Sequence, residues 1–213
     1  MESVSIREPF SEPIFEKIKD FFREYYITGG MPEAVKTWVM HKDIQAVEKV
    51  QENILNSYYR DFSKYPPSQM IPRILGIWNG IVNQLTKETR KFKYSEIDKG
   101  ARAREYEAAL DWLLAGGYIH KIRKVSKLEI PLMGYADESH FKVFMPDIGL
   151  LRRKAEYPAS AFSQLNDGVN IPFKGAMSEN IVFQELRCVH HDGRILNIPL
   201  PLVSETGRML TPP

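Results

Sequence analysis

The 213 residues carry 29 Lys/Arg against 27 Asp/Glu, and a net charge of +2 does not mark the whole chain as a nucleic-acid binder. The single cysteine, Cys188, excludes an internal disulfide framework; no apolar run is long enough to span a membrane, and MESVSIREPF lacks the basic and apolar regions of a secretory leader. A composition 43% hydrophobic and 26% charged is that of an ordinary globular protein, so the sequence predicts a cytoplasmic chain of one domain or two small ones, with no membrane partner.

Residues 1–10 read as a loop or a connection. Pro13 to Tyr26 reads as a helix, with Ile14, Ile18, Phe21, Phe22 and Tyr25 at helical spacing and Ser11 or Glu12 as its cap. Thr28-Gly29-Gly30 breaks it. Met31-Pro32 restarts a helix with proline in the first turn, where no N–H is needed. Asp43 caps a long helix to Tyr65, with Ile44, Val47, Ile54, Tyr58 and Phe62 facing inward. Pro66-Pro67 stops it, because proline removes a donor and clashes with the preceding turn. Pro72 to Leu85 carries a broad apolar face of Ile74, Ile77, Trp78, Ile81, Val82 and Leu85.

Lys93 to Leu151 reads as a winged helix-turn-helix unit, with the Pro72–Leu85 helix as its first helix. Ser95–Asp98 is a short helical turn, and Ala101–Ala115 a longer helix with Tyr106, Leu110, Leu113 and Leu114 on one face. Gly116-Gly117 ends it, since glycine takes the left-handed conformation without a Cβ penalty. Tyr118–Val125 reads as a strand. Phe141, Val143 and Met145 alternate with His140, Lys142 and Phe144 in its partner, and Ser126–Ser139 forms a long wing between them. Arg152–Lys174 reads as a linker with a short helix at most. Ala176–His191 reads as a helix with Ile181, Val182, Leu186 and Val189 available for packing. Asp192–Pro213, with four prolines and no core-forming period, reads as a loosely held tail.

The run KFKYSEIDKGARAREYEAALDWLLAGGYIHKI followed by FKVFMPDIGLL resembles a domain of unknown function that sits directly after the ATPase core in prokaryotic AAA-type ATP-binding proteins. FREYYITGGMPEAV (Phe22–Val35), ILNSYYRDFSKY (Ile54–Tyr65) and KGAMSENIVFQEL (Lys174–Leu186) extend the resemblance over nearly all of residues 10–187. It implies that ATP and Mg²⁺ belong to an ATPase core absent from this sequence, so no cofactor is expected in the chain itself. It also implies that a restriction-nuclease-like region starts near Ser178-Glu179-Asn180. There the glutamate matching Glu179 precedes E-V-D-F and E-V-K motifs, whose carboxylates and lysine could hold Mg²⁺ and activate water. Neither motif occurs here, and the sequence departs from the family after about Cys188, as a truncation or a shifted reading frame would produce. Glu179 then reads as a carboxylate at a helix N-terminus, favoured by the macrodipole.

Gly30-Met-Pro-Glu-Ala-Val-Lys-Thr37 is a near miss of the phosphate-binding loop: Val35 replaces its second glycine, Pro32 removes a donor, and a helix rather than a strand precedes it. It reads as a helix start, and no nucleotide binding is expected. Between Lys87 and Lys127 stand eleven Lys/Arg against six acidic residues, a local excess larger than that of the whole chain. Lys99, Arg102, Arg104, Lys121, Arg123 and Lys124 are the candidate nucleic-acid contacts, with the arginines in the first turn of the recognition helix. The competing reading is a solvated face with Arg102–Glu105 and Arg104–Glu107 pairs, and Glu105, Glu107 and Asp111 would repel phosphate. Cys188, His190 and His191 are too few to make a zinc site.

The sequence therefore predicts a mainly α protein (α+β): a helical segment over 1–66, a winged-helix unit over 67–151, and a linker with a truncated nuclease-like stub over 152–213. No residue is assigned a catalytic, cofactor-binding or metal-ligating role. The expected function is a non-catalytic accessory and interaction region whose partner is the absent ATPase core or another protein. The alternatives are a DNA-binding winged-helix regulator and a metal-dependent nuclease.

Overall fold

The computed structural model describes residues 11–87, 91–100, 102–162 and 171–189. The described residues form seven α-helices and one antiparallel hairpin: α1 (Glu12–Thr28), α2 (Pro32–His41), α3 (Ile44–Lys64), α4 (Ile71–Leu85), α5 (Ala103–Ala115), β1 (His120–Val125), β2 (Ala136–Phe144), α6 (Ile148–Lys154) and α7 (Ile171–Val189). The fold is mainly helical, as the periodicities predict.

Several boundaries have local causes that the sequence displays. Asp43 accepts the Gln45 N–H at 2.8 Å and caps α3. Pro32 occupies the first turn of α2. Gly117 takes φ +71° just past α5. Ser11 stands at the N-cap position of α1, but its side chain makes no capping bond. The expected turn at Ser95–Asp98 is a 3-10 turn over Tyr94–Glu96.

α4, that turn, α5 and the hairpin follow one another in the order of a winged helix-turn-helix. α4 packs on α5 and β2, and it buries Ile74, Ile77, Trp78, Ile81 and Leu85. Phe92 donates its N–H to Phe141 O at 2.9 Å, which lays the segment after α4 alongside β2. β1 and β2 pair in register from His120↔Phe144 to Arg123↔Phe141, and a bulge then shifts Lys124 onto Asp137. Trp78 sits at the centre of an aromatic cluster, with Tyr58, Tyr59 and Phe62 of α3 edge-on to its ring.

The hydrophobic core is one cluster that runs from Leu55 and Phe62 through α4, α5 and the hairpin to Phe173, Met177 and Phe183. Two expectations are corrected. The first concerns Arg152–Lys174, expected to be a linker with a short helix at most: Arg152–Lys154 complete α6, whose residues Ile148–Arg152 are buried against α1 and α3, and α7 already starts at Ile171. The second concerns the C-terminal helix, which starts at Ile171, so Glu179 lies in its middle rather than at its N-terminus. On α1, Ile14, Phe21 and Phe22, which share helical spacing, are about half exposed, at 51%, 59% and 50%. Asp192–Pro213 lies outside the described residues.

Candidate functional site

The densest polar chemistry in the fold is a buried node where four distant segments meet. Asp147, 2% exposed, caps α6 by accepting the Leu150 N–H at 2.9 Å through Oδ1. Its Oδ2 accepts the Gly30 N–H at 2.6 Å, reaching across to the α1–α2 junction. Gly29 can serve there because it takes φ +67°, a conformation that side chains rarely adopt. On the other flank, Gln51 of α3 donates through Nε2 to Ile27 O and Thr28 O at 2.9 and 3.0 Å. Its Oε1 accepts from Arg152 Nη2 at 3.0 Å. The Arg152 guanidinium also reaches Glu48 Oε1 at 2.8 Å and Tyr157 O at 3.0 Å.

α7 closes the node by pairing its side chains with exposed ends of backbone. Asn180 accepts the Met145 N–H at 3.0 Å and donates to Met145 O at 3.1 Å. Gln184 accepts the Ile148 N–H at 3.0 Å and donates to the Tyr25 hydroxyl at 2.7 Å. The Tyr25 hydroxyl in turn donates to Glu185 at 2.8 Å. Buried backbone groups need such partners, and here side chains supply them where no helix or sheet can. The segments that carry the family resemblance (ITGGMPEAV, FMPDIGLL and MSENIVFQEL) converge on this node.

Burial sets the electrostatics. It pushes the Asp147 carboxyl above the ordinary carboxylate value, while the N–H groups of Gly30, Leu150 and Gly149 pull the other way. Burial likewise lowers the Arg152 guanidinium, and Glu48 opposes it. On β1, burial with the nearby Arg187 brings His120 down to about 4. The node therefore offers no open position: every oxygen of Asp147 and Gln51 already has a donor. It ties the α1–α2 junction, α3 and α6 together.

The six basic candidates divide into two groups. Lys99, Arg102, Arg104 and Lys124 are exposed, and no carboxylate partner is recorded for them among the described residues. Lys121 and Arg123 instead share Glu138 across the hairpin, at 3.4 and 2.7 Å, and Lys121 also lies 4.4 Å from the centre of the Phe141 ring. The expected role of Lys121 and Arg123 at phosphates is thus met by competition from an internal acid. Arg102–Glu105 and Arg104–Glu107 pairs are not formed among the described residues, while Glu105, Glu107 and Asp111 stand exposed on the same helix.

Other sequence candidates resolve plainly. The near-miss phosphate loop is the start of α2: Gly30 N–H is held by Asp147, and Thr37 Oγ1 donates to Glu33 O at 2.8 Å within the helix. Glu179 pairs with Lys142 of β2 at 3.0 Å, which ties α7 to the hairpin. Cys188, His190 and His191 have side chains outside the described residues. Among the described residues no group of three or more His, Cys, Asp or Glu could hold a metal, and no helix is long and apolar enough to cross a membrane. Gln51, Asp147, Arg152, Asn180 and Gln184 escaped the sequence reading. The one signal available was Pro146-Asp147 ahead of an apolar run, a helix start.

No curated protein and no solved structure matches the chain. One family model does, over residues 19–160, a span that holds Gly29, Gly30, Gln51, Asp147, Arg152 and all six basic candidates, but neither Asn180 nor Gln184. With two thirds of its length matched, the chain belongs to the family described as a domain of unknown function, DUF8612.

Proposed function

We propose that this chain is the non-catalytic C-terminal accessory region of an AAA-type ATP-binding protein, and that it holds the ATPase core through the outer face of α1. The observation that carries this reading is the exposure of Ile14, Phe15, Phe21 and Phe22, at 51%, 47%, 59% and 50%, along a single helix. Large apolar side chains grouped on one helix face mark an interaction surface more often than a solvated one. α1 is the described element nearest the side on which the resemblance places the core. Tyr25 ties α1 to α7 by donating to Glu185, while these four side chains remain about half exposed.

The test uses an ATPase core of such a protein, supplied as a separate polypeptide, and calorimetry. The wild-type chain should bind it. Phe21→Glu/Phe22→Glu should weaken binding by at least about tenfold, as for anchor residues of an interface, with an unchanged circular dichroism spectrum. Absence of wild-type binding, or equal binding by the double variant, would remove the proposal.

A second reading, duplex DNA binding, is favoured by the exposed Lys99, Arg102, Arg104 and Lys124. In that reading the first turn of α5 enters the major groove, and phosphate contacts make binding weaken with salt. Anisotropy with a random-sequence duplex at low salt should then show binding that Arg102→Ala/Arg104→Ala abolishes. Lys121→Ala should change it little, because Lys121 is already committed to Glu138. Binding that survives the arginine double variant would exclude α5 as the reading helix.

A further inference from the structure

Lys154, the last residue of α6, holds an amine in unusual surroundings. Its Nζ lies 4.5 Å from the centre of the Trp78 ring and 5.6 Å from that of Tyr59. It donates to the Tyr59 hydroxyl at 3.4 Å, and that hydroxyl donates to Asn79 Oδ1 at 2.8 Å. No ion pair is recorded for it among the described residues. Its neighbours on α6, Arg152 and Arg153, are instead paired with Glu48 and Glu52 of α3. α4 presents Trp78 and Asn79 to this site, and neither titrates. α3 presents Tyr59, a phenol whose ionisation burial pushes further up. The amine is therefore partly withdrawn from water, with two ring faces and one hydroxyl as its surroundings and no carboxylate to hold its proton.

We propose that Lys154 is a site of acylation by small activated acyl donors of the acyl phosphate class, its neutral amine attacking the acyl carbon beside the Tyr59 and Trp78 rings. In the step, the amine lone pair forms the N–C bond, the C–O bond to phosphate breaks, and the leaving phosphate takes the proton that the nitrogen loses. No other reactant is needed. Two features favour it. Desolvation lowers the amine to about 8, so a far larger share is neutral near pH 7.5 than for an ordinary lysine. The product amide is uncharged, so modification removes a charge that has ring faces but no carboxylate beside it, while leaving an N–H for the Tyr59 hydroxyl. Partial exposure and aromatic walls suit a small acetyl group better than a bulky donor.

The probe is acetyl phosphate, applied to the native full chain at pH 7.5, with site occupancies followed by peptide mass spectrometry. Lys154 should be acetylated about tenfold faster than the exposed Lys36 and Lys99, a smaller gain than the neutral fraction alone gives because nucleophilicity falls with basicity. The advantage should vanish in urea, where the aromatic walls are gone. Equal rates at Lys154 and the exposed lysines in the native chain would overturn the proposal. So would a preference that persists in urea, since it would then come from local sequence rather than from the fold.

Discussion

Asp147→Ala should lower the melting temperature by about 6–12 °C. The variant removes the cap of α6, worth about 1–2 kcal/mol. It also removes the carboxylate acceptor of the part-buried Gly30 N–H, a bond to a charged group worth about 1.5–3 kcal/mol. A combined loss near 3 kcal/mol converts at roughly 2–4 °C per kcal/mol for a chain of this size. Asp147→Asn should fall between alanine and wild type: its oxygen can still accept the Leu150 N–H, but its amide group would face the Gly30 N–H. Calorimetric unfolding of the three proteins is the measurement. An alanine variant within about 0.5 kcal/mol of wild type, the range of an ordinary surface change, would show that the node contributes little.

Gly149→Ala should be comparably damaging, at about 3 kcal/mol, the upper part of the range for overpacking a core. A Cβ added there would stand 2.6 Å from Gln51 Nε2, 2.7 Å from Thr28 O and 2.8 Å from Gly29 N. Two of those atoms are backbone and cannot rotate away, so α6 must lift off the α1–α2 junction. The shift would also stretch the Gln51 bonds to Ile27 and Thr28. Gly100→Ala is the control: nothing lies within 4 Å of its added Cβ, and its effect should stay within about 0.5 kcal/mol. Equal effects at the two glycines would sink the close-packing argument.

These two residues mark where the sequence ceased to be legible. Helices α2 to α5 announce themselves because their causes are local: Asp43 caps its own helix, Pro66 stops it, and Trp78 repeats with Ile74 and Ile81 at helical spacing. The hairpin is visible for the same reason, through the alternation of Phe141 and Val143. Asp147 and Gly30 lie 117 residues apart, and nothing near either one signals the other. α6 has seven residues, too few for a periodic pattern, and an arginine at its end reads as surface because charged side chains are rarely buried unpaired. The exposure of the α1 side chains was hidden for a different reason. Spacing shows that Ile14, Phe21 and Phe22 share a face, but not whether anything within the chain covers it. The basic candidates are visible in the sequence only as a local excess of charge. Their division into free and committed side chains depends on Glu138, which reaches Lys121 and Arg123 only after the hairpin forms.

The closure of the node by α7 also constrains the order in which the molecule can be made. Met145 and Ile148 wait for Asn180 and Gln184, residues 35 and 36 positions further on. A ribosome adds roughly 5–20 residues per second, so a nascent chain spends seconds with the α6 cap formed while those two backbone N–H groups remain wet. Final consolidation must follow the emergence of α7, and a translational pause between residues 150 and 184 would lengthen the life of a half-built core.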